Sequence, residues 1–161
     1  MELYQSVGFL LFGTRLKRLS EVFLADVNRV YRKNRIRFEA GWFPVFYLLS
    51  QQEEVSIRQI ADALHVSHSA ASQMVSNLQE KGLVKSTVSR RDARHKVVTF
   101  TSKGARLLDQ VLPVWQALEA AMQQLAHETA EGRHLLPALT VIENSLRETP
   151  VFNRVEARYH S

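Results

Sequence analysis

Ser67, His68, Ser69, Ser72, Gln73, Ser76 and Asn77 bring four hydroxyls, an imidazole and two amides into one short stretch with helical spacing. A helix face that meets only water usually carries Lys, Glu and Arg, which are better helix formers than Ser or Asn. Short polar side chains are suited to a different task, close hydrogen bonding to base edges and phosphates. A Gln can address adenine through two bonds, an Asn can do so where the docking angle exposes it, and Ser or His can serve phosphates or base edges. A Glu/Lys face would repel phosphate or bind it without reading sequence. Further along, Arg90, Arg91, Arg94 and Lys96 surround Asp92 in a polar stretch. The plain alternatives are an ordinary solvated helix and a solubilising loop tip.

The elements that must position these residues can be read from periodicity. Ser56 is a capping residue for a helix over 57–64 whose inward positions are Ile57, Ile60, Ala61 and Leu64. His65-Val66 makes a tight turn, although a left-handed backbone is uncommon for a residue other than Gly. Ser67 caps the next helix, buried through Ala71, Met74, Val75 and Leu78 and stopped by Gly82. Residues 83–88 and 96–100 are rich in Val and Thr and read as two strands, with 89–95 as the hairpin tip. Helix, turn, helix and hairpin make a winged helix-turn-helix, whose second helix fits the major groove.

Around this middle lie longer helices. Leu16, Leu19, Val22, Phe23, Val27 and Val30 form one amphipathic stripe, which can start as early as Leu3 past Gly8 and Gly13. Trp42 to Leu49 is apolar nearly all round, with Pro44 tolerable only in a first turn. Thr101 caps a long helix kinked at Pro113, and Leu135 to Leu146 forms another. The expected fold is mainly α with a small β-hairpin wing. Its winged helix-turn-helix DNA-binding domain covers 38–104, helical dimerisation regions cover 1–37 and 105–148, and a poorly ordered tail covers 149–161. Two copies could bury their terminal stripes against each other in a symmetric dimer, or the stripes could pack within one chain.

The 161-residue chain has a formal net charge of +5. Its basic residues gather between Lys81 and Arg106, with Asp92 as the single acid, which points to an anionic partner. A second group, Arg29 to Arg37, reads as a solvated face or a general attraction for phosphate. There is no cysteine, so disulfide and thiol-redox chemistry are excluded. No apolar run reaches the roughly 20 residues of a membrane span, and the start is a poor signal peptide, so a cytoplasmic location and no membrane partner are expected. A Gly-rich phosphate loop, a Gly-x-Ser-x-Gly elbow and paired carboxylates beside a nucleophile are all missing, which argues against an enzyme. No cofactor is expected.

"SIRQIADALHVSHSAASQMVSNLQEKGLV", Ser56 to Val84, followed by "RRDARHKVVTFTSKG", Arg90 to Gly104, resembles the MarR family of bacterial transcription regulators. Asp92-Ala93-Arg94 matches the family's wing motif, and Phe100-Thr101-Ser102-Lys103-Gly104 its ending. The resemblance implies a homodimer on palindromic double-stranded DNA, usually a repressor. By motif position Arg94 enters the minor groove and Asp92 orients it, while Arg90 or Arg91 could share that task. A small effector, often aromatic and amphipathic, is implied in a cleft between the dimer helices and the winged domain. Tyr4, Trp42, Phe46, Tyr47 and Trp115 are the candidates to line it, although aromatic stripes are more often core. The redox-sensing branch needs a cysteine and is excluded. The alternatives are a zinc-responsive regulator, with His127, Glu131 and His134 on one helical face, and a winged helix that binds protein rather than DNA.

Overall fold

The computed structural model describes residues 3–88 and 96–159, apart from the side chains of Tyr4 and Gln5. The chain divides into two compact units, residues 1–114 and 115–161. The fold is mainly helical with one antiparallel hairpin.

In the first unit, α1 (Leu3–Val7) passes through a 3-10 turn into α2 (Phe12–Lys33). Gly8 takes φ 63° at this junction, so the expected long helix is helical from Leu3 but interrupted. The end of α2 is a Schellman motif: the Ile36 amide donates to the Tyr31 carbonyl and the Arg35 amide to that of Arg32. Arg35 adopts φ 57°, the left-handed conformation that usually belongs to Gly. A 3-10 turn, Ala40–Trp42, leads into α3 (Phe43–Gln51), with Pro44 in the first turn, where its missing N–H leaves no helix bond unmade.

The middle follows the expected order. α4 (Ile57–Leu64) opens with a capping box, in which the Gln59 amide donates to Ser56 Oγ and the Ser56 amide donates to Gln59 Oε1. α5 (His68–Glu80) begins at Ser67, whose Oγ accepts from the Ala70 amide. β1 (Val84–Val88) pairs antiparallel with β2 (Lys96–Phe100) in the register Val84 opposite Phe100 and Val88 opposite Lys96. Val55 adds a bridge on the other side of β2, exchanging amide–carbonyl bonds with Val98. An isolated bridge has no periodicity, so the sequence did not announce it. Strand β1 is left as the edge of this small sheet.

The core of the unit is aromatic at its centre. Phe38 meets Tyr31, Trp42 and Phe46 edge-on with centroids 4.9–5.6 Å apart, and Phe46 meets Phe100 at 4.9 Å. Such edge-to-face contacts add to the area each ring buries. Ile60, Val75, Leu78, Val98 and Val111 complete it.

α6 (Ser102–His127) runs from the first unit into the second and passes through Pro113 as one continuous helix. The second unit continues with a 3-10 turn, α7 (Leu135–Glu148) and α8 (Val151–Tyr159). The tail from Pro150 was expected to lack order, but it is helical to Tyr159. Arg154 secures the junction by donating to the carbonyls of Thr149 and Ser145. No helix among the described residues is long and apolar enough to cross a membrane.

Candidate nucleic-acid interface

Ala71, Val75 and Leu78 are buried, and this stripe fixes the roll of α5. Ser69 and Gln73 then fall opposite the stripe, at the helical spacing of about 3.6 residues per turn, and both are exposed. Ser72 and Ser76 are half-buried on the same side, whereas His68 is exposed in the first turn beside Ser67. Asn77 is exposed on the other flank, where it shares a cavity of about 210 Å³ with Glu39, Trp42 and Met74. Ser69, Ser72, Gln73 and Ser76 are therefore gathered on one face, with Asn77 turned toward the Trp42 side. The first turn of α5 contains no acid, so the free amides at the helix start present undiluted positive potential to a phosphate.

The turn before α5 is a second Schellman motif, with the Val66 amide donating to Ala61 and the His65 amide to Asp62. His65 occupies φ 53°, ψ 40°, the left-handed position expected from the sequence. The end of α5 is a third, with Gly82 at φ 68°. These two motifs hold both ends of α5 at fixed angles to its neighbours.

Two further restraints were not legible in the sequence as positioning contacts. Gln79 Nε2 donates to Ser86 Oγ at 3.0 Å, tying α5 to β1. The start of α6 is locked onto the end of α5. Thr101 Oγ1 shares its proton between the Gly82 and Leu83 carbonyls and accepts from the Gly104 amide, and Lys103 Nζ donates to the Lys81 carbonyl at 2.7 Å. Gly104 makes this approach feasible, because a Cβ there would lie 2.0 Å from the Leu83 oxygen. The sequence marks Thr101 as a cap and Gly104 as the end of a motif, and the clamp is the physical reason for both.

In the hairpin, Lys96 is exposed at the first position of β2. Arg90, Arg91, Asp92 and Arg94 lie outside the described residues.

The aromatic candidates do not behave as one group. Phe46 is fully buried between Phe38 and Phe100 and is a core residue. Tyr47 is exposed and stacks on Phe43, whereas Trp42 is half-buried and walls two cavities. Trp115 belongs to the second unit, and the Tyr4 side chain is outside the described residues. The histidine face of the zinc-responsive alternative does not form. α6 ends at His127 and the chain turns before His134, so the i, i+4, i+7 spacing is lost, and His127 Nδ1 sits 2.6 Å from the Gln123 carbonyl. Among the described residues no three His, Cys, Asp or Glu side chains are placed to hold a metal ion.

Residues 38–95 match the family model described as MarR family. Among solved structures, a MarR/EmrR family transcriptional regulator from Acinetobacter sp. ADP1 is 19% identical with a TM-score of 0.67, over 92% of this chain and 100% of that one. The S. aureus MepR–DNA complex is 21% identical with a TM-score of 0.67, covering 84% of this chain and 97% of the other. Bordetella bronchiseptica BpsR, described by the regulation of its DNA binding by 6-hydroxynicotinic acid, is 18% identical with a TM-score of 0.62, over 82% and 91%. No curated protein matches the chain by sequence.

Proposed function

We propose that this chain, a MarR-family protein through residues 38–95, is a sequence-specific DNA-binding transcriptional regulator that works as a homodimer. The observation that carries the reading is the polar face of α5. Its outward positions are Ser69 and Gln73, its inward ones Ala71, Val75 and Leu78, and both its ends are fixed by hydrogen-bonded motifs. A helix held this firmly, with amides and hydroxyls outward, can present base-reading groups without first ordering them.

In this reading Gln73 reads a base, with Ser69, Ser72 and Ser76 on base edges and phosphates and Ser67 and His68 at the phosphate nearest the helix start. Asn77 serves the flank of the groove. Arg94 enters the minor groove with Asp92 orienting it, while Arg90, Arg91 and Lys96 hold the backbone. A narrow minor groove concentrates negative potential, so one guanidinium gains more there than on an open phosphate. The dimer is supported by exposed apolar side chains along α2, including Leu19, Val22 and Phe23, and in the second unit by Leu136, Val141 and Phe152. Two-fold symmetry then sets the two α5 helices about 34 Å apart, facing half-sites one turn apart on a pseudo-palindrome.

The regulator acts as a repressor released by a small effector, a reading supported by the effector-regulated neighbour BpsR. An effector that prefers a dimer with misplaced α5 helices lowers operator affinity by that preference, typically about 1–3 kcal/mol. Selection of genomic fragments with the purified full chain tests the core of this function. Recovery of one pseudo-palindromic site is the expected result. Indiscriminate recovery, or none in dilute salt, would remove the reading.

A further inference from the structure

The DNA-reading face leaves part of the positive charge unused. A cavity of about 570 Å³ opens between the loop after α2, the end of α5 and the first turns of α6. Five cations line it, Arg35, Arg37, Lys81, Lys103 and Arg106, against the single acid Glu39. Among the described residues none of the five forms an ion pair. Like charges converging on one concavity repel each other and concentrate a field that an anion relieves.

Three further features bear on what fills it. Arg35 is held in the left-handed conformation, a strain that a non-Gly residue carries where surrounding structure imposes it. Trp42 supplies an apolar wall and, with Glu39, also walls the smaller cavity against Met74 and Asn77 of α5. Lys103, one of the lining cations, is the residue whose ammonium caps the Lys81 carbonyl at the end of α5. The cavity adjoins the C-terminal end of this 13-residue helix, past Asn77, the last residue assigned to the groove.

We propose that the cavity binds a small multivalent oxyanion, phosphorylated or polycarboxylated, and that Lys103 transmits its arrival to α5. The site stands on the cavity alone, and its regulatory consequence rests on the DNA-binding reading above. A multivalent anion competes with the Lys81 carbonyl for the Lys103 ammonium. The end of α5 then loses a cationic cap that its dipole favours, and the joint to α6 loosens. Glu39 offsets one of the five positive charges, and the surplus that remains is neutralised more fully by a multivalent anion than by a monovalent one. The apolar part of a ligand rests on Trp42.

The test uses the full chain with Trp115→Phe, so that Trp42 is the only indole. Pyrophosphate and citrate are titrated separately at constant ionic strength, against indole fluorescence and against release of a duplex recovered by the genomic selection. The expected result is a saturable fluorescence change with at least one of them and operator affinity weakened about tenfold. The responding anion tells the phosphorylated from the polycarboxylated class. Arg106→Glu should abolish the fluorescence response, and the anion should no longer change operator affinity relative to that variant's own anion-free binding. Lys103→Met should still register the anion but no longer pass it on to DNA. No saturable change with either anion would overturn the site. So would release that persists in Arg106→Glu, since the anion would then be competing at the DNA face. Saturable binding by a chain that takes up no duplex bears out the site and overturns the transcription-factor reading instead.

Discussion

Gln73 and Gly104 show what single residues decide. Gln73 is exposed opposite the buried stripe of α5, so removing its amide leaves the fold untouched. Gln73→Ala should weaken the best operator by about 1–3 kcal/mol while affinity for unrelated duplex barely changes. Equal losses on both duplexes in an anisotropy titration would take Gln73 out of base reading. Gly104 is the opposite case, since its importance is entirely steric. A methyl group there meets the Leu83 carbonyl at 2.0 Å, a backbone atom that cannot swing away. Gly104→Ala should cost about 1–3 kcal/mol or more in urea unfolding, as overpacking does. The type of each of these two residues could be singled out in the sequence. Which neighbour each meets could not, because Leu83 and Gly104 come together only through the hairpin between them.

At the scale of elements, the helix ends carry the information. Ser56, Ser67, Gly82 and Thr101 are cap and stop residues of familiar chemistry, and all four act as the local sequence suggests. His65 is the departure, a bulky residue where the backbone asks for Gly. The left-handed conformation costs an L-residue about 1–2 kcal/mol, part of which Gly returns through its looser unfolded chain. His65→Gly should therefore stabilise the chain modestly, raising Tm by about 2–4 °C for a gain near 1 kcal/mol. An unchanged or lower Tm would mean that the imidazole contributes a compensating contact. α8 was missed because its stripe, Val151, Phe152, Val155 and Tyr159, is short and follows Pro150 and a run of polar residues. Its order comes from Arg154 reaching back to carbonyls of the preceding helix, a contact that local propensity cannot contain.

For the whole molecule, the exposed apolar residues and the charge balance set the expectations. Leu19 and Phe23 lie one turn apart on α2 and are 57% and 37% exposed, more than an isolated chain gains by leaving them in water. Leu19→Asp with Phe23→Asp should convert a dimer to monomers in sedimentation equilibrium, and operator affinity should fall with it because a single half-site remains. A double variant that stays dimeric would move the interface elsewhere. Binding should also weaken steeply with salt, with a slope of about −0.9 per phosphate neutralised. A flat salt dependence would leave the basic middle of the chain without a role on DNA.

The amino-acid order alone determined the helix-turn-helix, the hairpin and the polar face of α5, because periodicity, caps and stops are local properties. Only the tertiary structure decided that Phe46 is core, that the histidines of 127 and 134 do not share a face, and that Val55 joins the sheet. It also brought five cations from three separate segments around one cavity and set Lys103 on the end of α5. These are contacts between residues far apart along the chain, and no local pattern encodes distance in space.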